Sequence, residues 1–355
     1  FDKSVAMSNQ NHLKNKTFET DVCVIGAGPA GLFSVFECGM LKMSCHIVDS
    51  LDAIGGQLSA LYPEKPIYDI PGFPKVLAAD LVFGLEAQAA PFKPVYHLNQ
   101  QVVNLSRSNN RWVVETSKGT LLNAGVIIIA AGVGAFGPNR PPLEGIEEYE
   151  GQGPGVGVHY LVKRREDFRN KSVVIAGGGD SAIDWALSLA DIAENLSVVH
   201  RRPKFRAAPD SVSKLHKLVD DGIVDLVIPF QLAGLEGVDG KLKRVNLVDL
   251  DGNERSLKAD ILLPFFGLTQ NLGPIADWGL NLDHNFITVS QKTMETDKPG
   301  IFGIGDIITY PGKLKLIVNG FAEAATAAHS ARAYLNPGEE LHFEYSTTKG
   351  VPEVK

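Results

Sequence analysis

Cysteine is scarce in this chain of 355 residues: Cys23, Cys38 and Cys45 are all there are, and no Cys-x-x-Cys occurs. That excludes a disulfide framework and fits a reducing compartment, so a cytoplasmic protein is expected. The nine histidines form no His-x-x-x-His or Cys/His cluster, so no metal site is expected. No apolar run approaches the ~20 residues that span a bilayer; Val126–Ala131 is only strand-length, and no membrane association is expected. Residues 1–16 are polar, lack an apolar signal core and read as a flexible segment. A basic excess is also missing. With 34 Lys+Arg against 41 Asp+Glu the net charge is −7, and nucleic-acid binding loses its usual electrostatic footprint.

Glycine, in contrast, is abundant at 36 residues, about a tenth of the chain against roughly 7% on average. Such an excess belongs in turns or where a ligand approaches the backbone. Asp21–Gly26 is a mostly apolar run of strand length, followed by Gly26-Ala27-Gly28-Pro29-Ala30-Gly31 and then by apolar residues at helical spacing, Leu32 to Leu41. Ser44–Asp49 reads as the next strand and ends in an acid. This strand, glycine turn, helix, strand and acid make a dinucleotide-binding unit. Free N–H groups at the helix start would meet a pyrophosphate, and Asp49 would take a ribose hydroxyl pair.

The pattern recurs. Ser172–Ala176 leads into Gly177-Gly178-Gly179-Asp180-Ser181-Ala182, a helix with Ile183, Trp185, Ala186 and Leu189 on its apolar side, and the strand Leu196–His200. This strand ends in His200-Arg201-Arg202, with Arg206 close behind. Guanidinium forks match phosphate oxygens where a carboxylate would repel them, so this unit predicts a nucleotide carrying a 2′-phosphate, namely NADPH. Val126–Gly132 and Ile261–Gly267 each end a strand in glycine, and they bracket the second unit as the crossings of an inserted domain would. The expected architecture is α/β, with two Rossmann-like dinucleotide-binding domains. A discontinuous domain at 17–137 and 270–355 would carry an insert at 138–269. Near the C-terminus, Gly300–Asp306 reads as a short strand closed by Gly-Asp, and a helix from about Gly320 to Tyr334 succeeds it.

These residues carry a family resemblance. The N-terminal fingerprint, the nested GGGDSA and HRRPKFRA, and GIFGIGD near the end resemble the low-molecular-weight thioredoxin reductases. Their Cys-x-x-Cys is missing; the corresponding stretch here is Gly155-Val156-Gly157-Val158-His159-Tyr160. With Gly56-Gln57-Leu58, Tyr62-Pro63-Glu64-Lys65, Gly72-Phe73-Pro74 and the tail Tyr345-Ser346-Thr347-Thr348, the chain is more similar to ferredoxin–NADP reductases of the thioredoxin-reductase-like type, over about residues 20–350.

That resemblance implies a homodimeric FAD enzyme passing hydride from NADPH to flavin and then single electrons to ferredoxin or flavodoxin. It implies FAD contacts at Gly26, Gly28, Ala30, Gly31, Asp49, Gln57, Tyr62, Val102, Phe136, Asp306 and Thr347, with the 17–137 and 270–355 domain as the FAD domain. Tyr62 and Tyr345 would stack on the two flavin faces, and no side-chain acid or base is needed for hydride transfer. NADPH contacts are expected at Gly177, Gly179, Asp180, Ser181, Ala182, His200, Arg201, Arg202 and Arg206. Lys163, Arg164, Arg165, Lys313 and Lys315 are candidates for a patch that docks an acidic ferredoxin. A quinone or oxygen acceptor, or a flavin-binding sensor without turnover, would use the same parts.

Overall fold

The computed structural model describes residues 17–339 and 350–351. The chain divides into two compact units. Among the described residues, one comprises 17–59, 67–134 and the part from 272 onward, the other 60–66 and 135–271. Residues 60–66 thus leave the first unit and pack with the second.

The first unit is built on a seven-stranded sheet. Val95–His97, Cys45–Val48, Thr17–Ile25 and Leu121–Ile129 lie side by side in parallel, and Arg111–Thr116 and Val102–Ser108 continue as an antiparallel meander. Leu121–Ile129 shares one edge between two neighbours. Its first half pairs with the 111–116 strand, and Ile127–Ile129 pair in parallel with Ile301–Gly303. Strands covered on both faces carry continuous apolar runs, and Val126–Ile129 are fully buried. The first helix, Pro29–Met40, starts with proline in its first turn, where the absent N–H costs nothing. It buries Gly31, Leu32, Val35, Cys38 and Gly39, an apolar stripe at helical spacing.

The second unit holds a five-stranded parallel sheet in the order Gly157–Val158, Ile261–Pro264, Ser172–Ala176, Asn195–Val199 and Val224–Val227. On one face lies a cluster including Phe168, Ile183, Trp185, Leu189 and Leu215. The other face is covered by Leu242, Val245 and Leu247 from a three-stranded antiparallel sheet, Gln231–Val238, Lys241–Val248 and Glu254–Lys258. Ala135–Pro138 and Leu268–Asn271 pair antiparallel where the chain enters and leaves this unit. Among the described residues, no helix is long and apolar enough to cross a membrane.

A polar pair is set into the edge of the first sheet. His46 and His97 are buried on adjacent parallel strands, and Nδ1 of His46 and Nε2 of His97 share a hydrogen bond of 2.9 Å. One ring must be neutral to accept it. Phe18 lies 5.4 Å and 5.0 Å from the two ring centroids and adds apolar surface. Burial holds the His46 ring below its usual value, so just below pH 6.5 the unfolded chain binds more protons than the native state. The pair's stabilisation is therefore full above about pH 6.5 and declines as pH falls through it. Urea denaturation between pH 7 and pH 5.5 should show a smaller loss of stability for His46→Gln than for the parent. An equal loss would remove His46 from the pH dependence.

Candidate functional site

The first glycine turn is dictated by close backbone approach. Gly26 has φ 111°, and a Cβ there would lie 2.3 Å from the Ala130 carbonyl oxygen. A Cβ at Gly31 would lie 2.0 Å from the Gly26 oxygen. Gly28 differs: nothing lies within 4 Å of its Cβ position, and it starts the 29–40 helix with no side chain capping the helical amides. Two glycines thus seat the turn against the sheet while the third opens toward solvent over free N–H groups. Gly56 adds a second backbone, its Cβ position 3.1 Å from the Gly28 Cα. This cradle and its amides fit a pyrophosphate.

Asp49, at the end of the neighbouring strand, accepts the Ala27 N–H at 2.6 Å and the Leu51 N–H at 2.8 Å. Burial raises its carboxyl pKa, and those backbone donors pull it partly back. Its first task is therefore to clamp the glycine turn, and a carboxylate retains lone pairs for a hydroxyl donor besides.

The second turn repeats the logic. A Cβ at Gly177 would lie 2.7 Å from the Phe265 oxygen and 3.0 Å from the fully buried Ala182. Gly179 has open space at its Cβ position and begins the helix Asp180–Leu189, again uncapped by a side chain. Gly178 is tight for another reason, since its Cβ would meet the His200 ring at 2.3 Å. His200 stacks on Phe205 with centroids 5.3 Å apart, and burial lowers its pKa. Arg201, Arg202 and Arg206 are exposed in the adjoining loop, as is Ser181 in the helix's first turn. The Asp180 carboxylate accepts the Ala208 N–H at 2.8 Å.

Asp306 lies in the tight turn Gly305–Ile307, where burial raises its pKa and the nearby Lys313 and Lys315 oppose the shift. Beneath it is a network that no sequence motif marks. Glu323, only 3% exposed, accepts the Gly305 N–H at 2.8 Å, the Tyr310 hydroxyl at 2.6 Å and the Lys313 ammonium at 2.5 Å. Burial and Glu323 push the Tyr310 hydroxyl up to about 12. The available signal was a lone acid among the buried alanines 324, 327 and 328 of the helix Ile317–Leu335. Gly320 of that helix, Gly305 and Ala30 of the first helix converge, since a Cβ at Gly320 would sit 3.2 Å from the Ala30 Cβ and 3.6 Å from the Gly305 Cα.

The other expected residues are spread over both units. Gln57 begins the short helix Gln57–Ala60, its Nε2 3.8 Å from the Cβ position of Gly132. Val102 is buried at the start of its strand. Phe136 pairs through its backbone with Gln270. Tyr62 packs against the second unit's cluster containing Ile183 and Trp185, and Lys65 beside it pairs with Asp184 at 2.9 Å. Tyr345 and Thr347 lie outside the described residues. The basic docking patch needs correction. The Lys313 side chain is 4% exposed and committed to Glu323, and Arg165 is held by Asp191 and the Ser188 carbonyl. The cysteines are buried; burial pushes the Cys23 thiol far up, and a hydrogen bond to Cys45 plus burial does the same for Cys38. Such thiols are inert as nucleophiles.

Residues 20–331 match the family described as pyridine nucleotide-disulphide oxidoreductase. The chain belongs to this family. A ferredoxin–NADP reductase of Paramagnetospirillum magneticum is 61% identical over 94% of this chain and 98% of its own, and one of Rhodospirillum rubrum is 58% identical over 94% and 97%. Among solved structures, the thioredoxin reductases of Lactococcus lactis and T. acidophilum share the fold at 23% identity. They cover 89% of this chain and 99% and 98% of theirs, with TM-scores of 0.76 and 0.77. Within this oxidoreductase, Glu323→Ala leaves the Lys313 charge buried without its partner and should cost about 3–5 kcal/mol of stability. Denaturant unfolding checks this, and a loss below about 1 kcal/mol would show that water replaces the carboxylate.

Proposed function

We propose that this chain is an FAD-dependent ferredoxin–NADP reductase. The observation that carries the reading is the contrast between the two glycine turns. Each presents helical amides uncapped by a side chain, but one is succeeded by the half-buried carboxylate of Asp49 and the other by the exposed guanidiniums of Arg201, Arg202 and Arg206. A carboxylate suits ribose hydroxyls; three guanidiniums suit a phosphate ester. The names of relatives at 58–61% identity support the same pairing of nucleotide and acceptor.

Gly26, Gly28, Ala30, Gly31 and Asp49 would hold the FAD pyrophosphate and ribose, with Asp306 at the ribityl hydroxyls and Gln57, Val102, Phe136 and Thr347 completing the site. When bound, FAD supplies the conversion between the hydride of NADPH and single electrons. Gly177, Gly179, Ser181 and Ala182 would seat the NADPH pyrophosphate, and Arg201, Arg202 and Arg206 its 2′-phosphate. The Glu323 network holds the Gly305–Asp306 turn by its backbone, so Asp306 is presented without a rearrangement. Tyr62 and Tyr345 are proposed as the aromatic neighbours of the flavin. The acceptor is ferredoxin or flavodoxin. The assembly is a homodimer, supported by exposed Tyr68, Phe73 and Phe83 on the first unit. The free thiols favour a cytoplasmic location. Dithiol reduction of thioredoxin is disfavoured because the chain's three cysteines are buried and none forms a Cys-x-x-Cys.

Anaerobic NADPH should bleach the bound flavin, and oxidised ferredoxin should restore its colour. Recolouring by quinone or oxygen alone would reassign the acceptor, and no bleaching would make the chain a binding protein without turnover. Replacing Arg201 and Arg202 by alanine should raise KM for NADPH by at least about tenfold, since charged hydrogen bonds contribute ~1.5–3 kcal/mol each. KM for NADH should change far less; equal changes would count against the 2′-phosphate assignment.

A further inference from the structure

The segment between His200 and Pro209 carries all three arginines yet has no helix or strand of its own. Its conformation must come from what it is tied to. Two of its backbone amides end on the glycine-turn segment: the Arg206 N–H donates to the Gly178 carbonyl at 2.7 Å, and the Ala208 N–H donates to Asp180 Oδ1 at 2.8 Å. Before Arg206 in this segment, Phe205 is buried and stacked on His200, whose ring fills the space a Cβ at Gly178 would need. The turn that meets the pyrophosphate and the loop that bears the guanidiniums are thereby one mechanical piece.

Asp180 has an unusual position for a nucleotide-binding segment, because it places a negative charge in the first turn of the helix whose amides face the phosphates. The helix dipole favours an acid there, but a phosphate does not. Its carboxylate is directed to the loop backbone. We propose that Asp180 is a positioning residue that sets the preference for NADPH over NADH by fixing the 201–208 loop, and that it does so as a hydrogen-bond acceptor rather than as a ligand. This role rests on the chain being an NADPH-dependent reductase. The ion pair Lys65–Asp184, one helical turn further along, belongs to a different contact and leaves Asp180 as the helix's only acid bonded to this loop among the described residues.

The test compares Asp180→Ala, Asp180→Asn and Ala208→Pro in the flavin-loaded enzyme. Asparagine keeps an Oδ1 that accepts the same N–H. Proline at 208 deletes the donor from the other side, and Ala208 already has φ −54°, which a proline ring accepts. Asp180→Ala and Ala208→Pro should each lower the ratio of kcat/KM for NADPH to that for NADH about tenfold, ~1.4 kcal/mol. They should weaken inhibition by adenosine 2′,5′-bisphosphate to a similar degree, and combining them should cost no more than either alone. Asp180→Asn should retain most of the parent ratio. If Asp180→Asn behaves like Asp180→Ala, or if either loss falls equally on NADH, the positioning role is wrong. A parent enzyme with no preference for NADPH would instead remove the 2′-phosphate assignment itself, and is recognised before any variant is made.

Discussion

The arrangement depends on backbone passing so close to backbone that no side chain fits between. At Gly26 the nearest obstacle to a Cβ is the Ala130 carbonyl, at Gly31 the Gly26 carbonyl, and at Gly177 the Phe265 carbonyl. These contacts bring a strand end directly onto a helix start, and no side chain caps the first helical amides of either unit. Amides so placed suit an anion. The glycines at Gly28 and Gly179, with open space at their Cβ positions, leave room for it.

The residues at the end of each second strand differentiate two otherwise equivalent units. Asp49 faces inward, bonded to the Ala27 and Leu51 amides, and its burial makes ionisation costly unless those donors and a further hydroxyl compensate. The arginines of the second unit are exposed to solvent. Their loop is ordered by backbone amides bonded to Gly178 and Asp180. The bonds that hold the arginine loop thus come from groups other than the guanidiniums themselves.

Buried charge is used sparingly and with partners. Glu323 satisfies a backbone amide, a phenol and an ammonium with its two oxygens, and Lys313 is withdrawn from the surface to do so. Such a group gives little net stability over a well-packed apolar residue, but losing either Lys313 or Glu323 leaves the other's charge buried and uncompensated. The Glu323 bond to the Gly305 N–H holds the Gly305–Asp306 turn. The His46–His97 pair fills a comparable role at the sheet edge with a hydrogen bond that requires one neutral ring.

The local units were legible in the amino-acid order. Strand runs, glycine spacing and the sign of the charge after each second strand depend on neighbours within about thirty residues, which sequence displays directly. The chain therefore determined two dinucleotide-type units, the acid in one and the arginines in the other, and the lack of a Cys-x-x-Cys. Tertiary structure decided what long-range approach controls. It joined Ile301–Gly303 to Leu121–Ile129, brought Ala30, Gly305 and Gly320 together, and buried Lys313 against Glu323 although a lysine in a polar loop reads as surface. It also moved Tyr62 into the packing of the second unit and turned Asp180 toward a backbone amide. Sequence patterns report which residues are apolar or charged; only the fold decides which polar atoms face each other, because a hydrogen bond depends on distances of a few tenths of an ångström that no local pattern encodes.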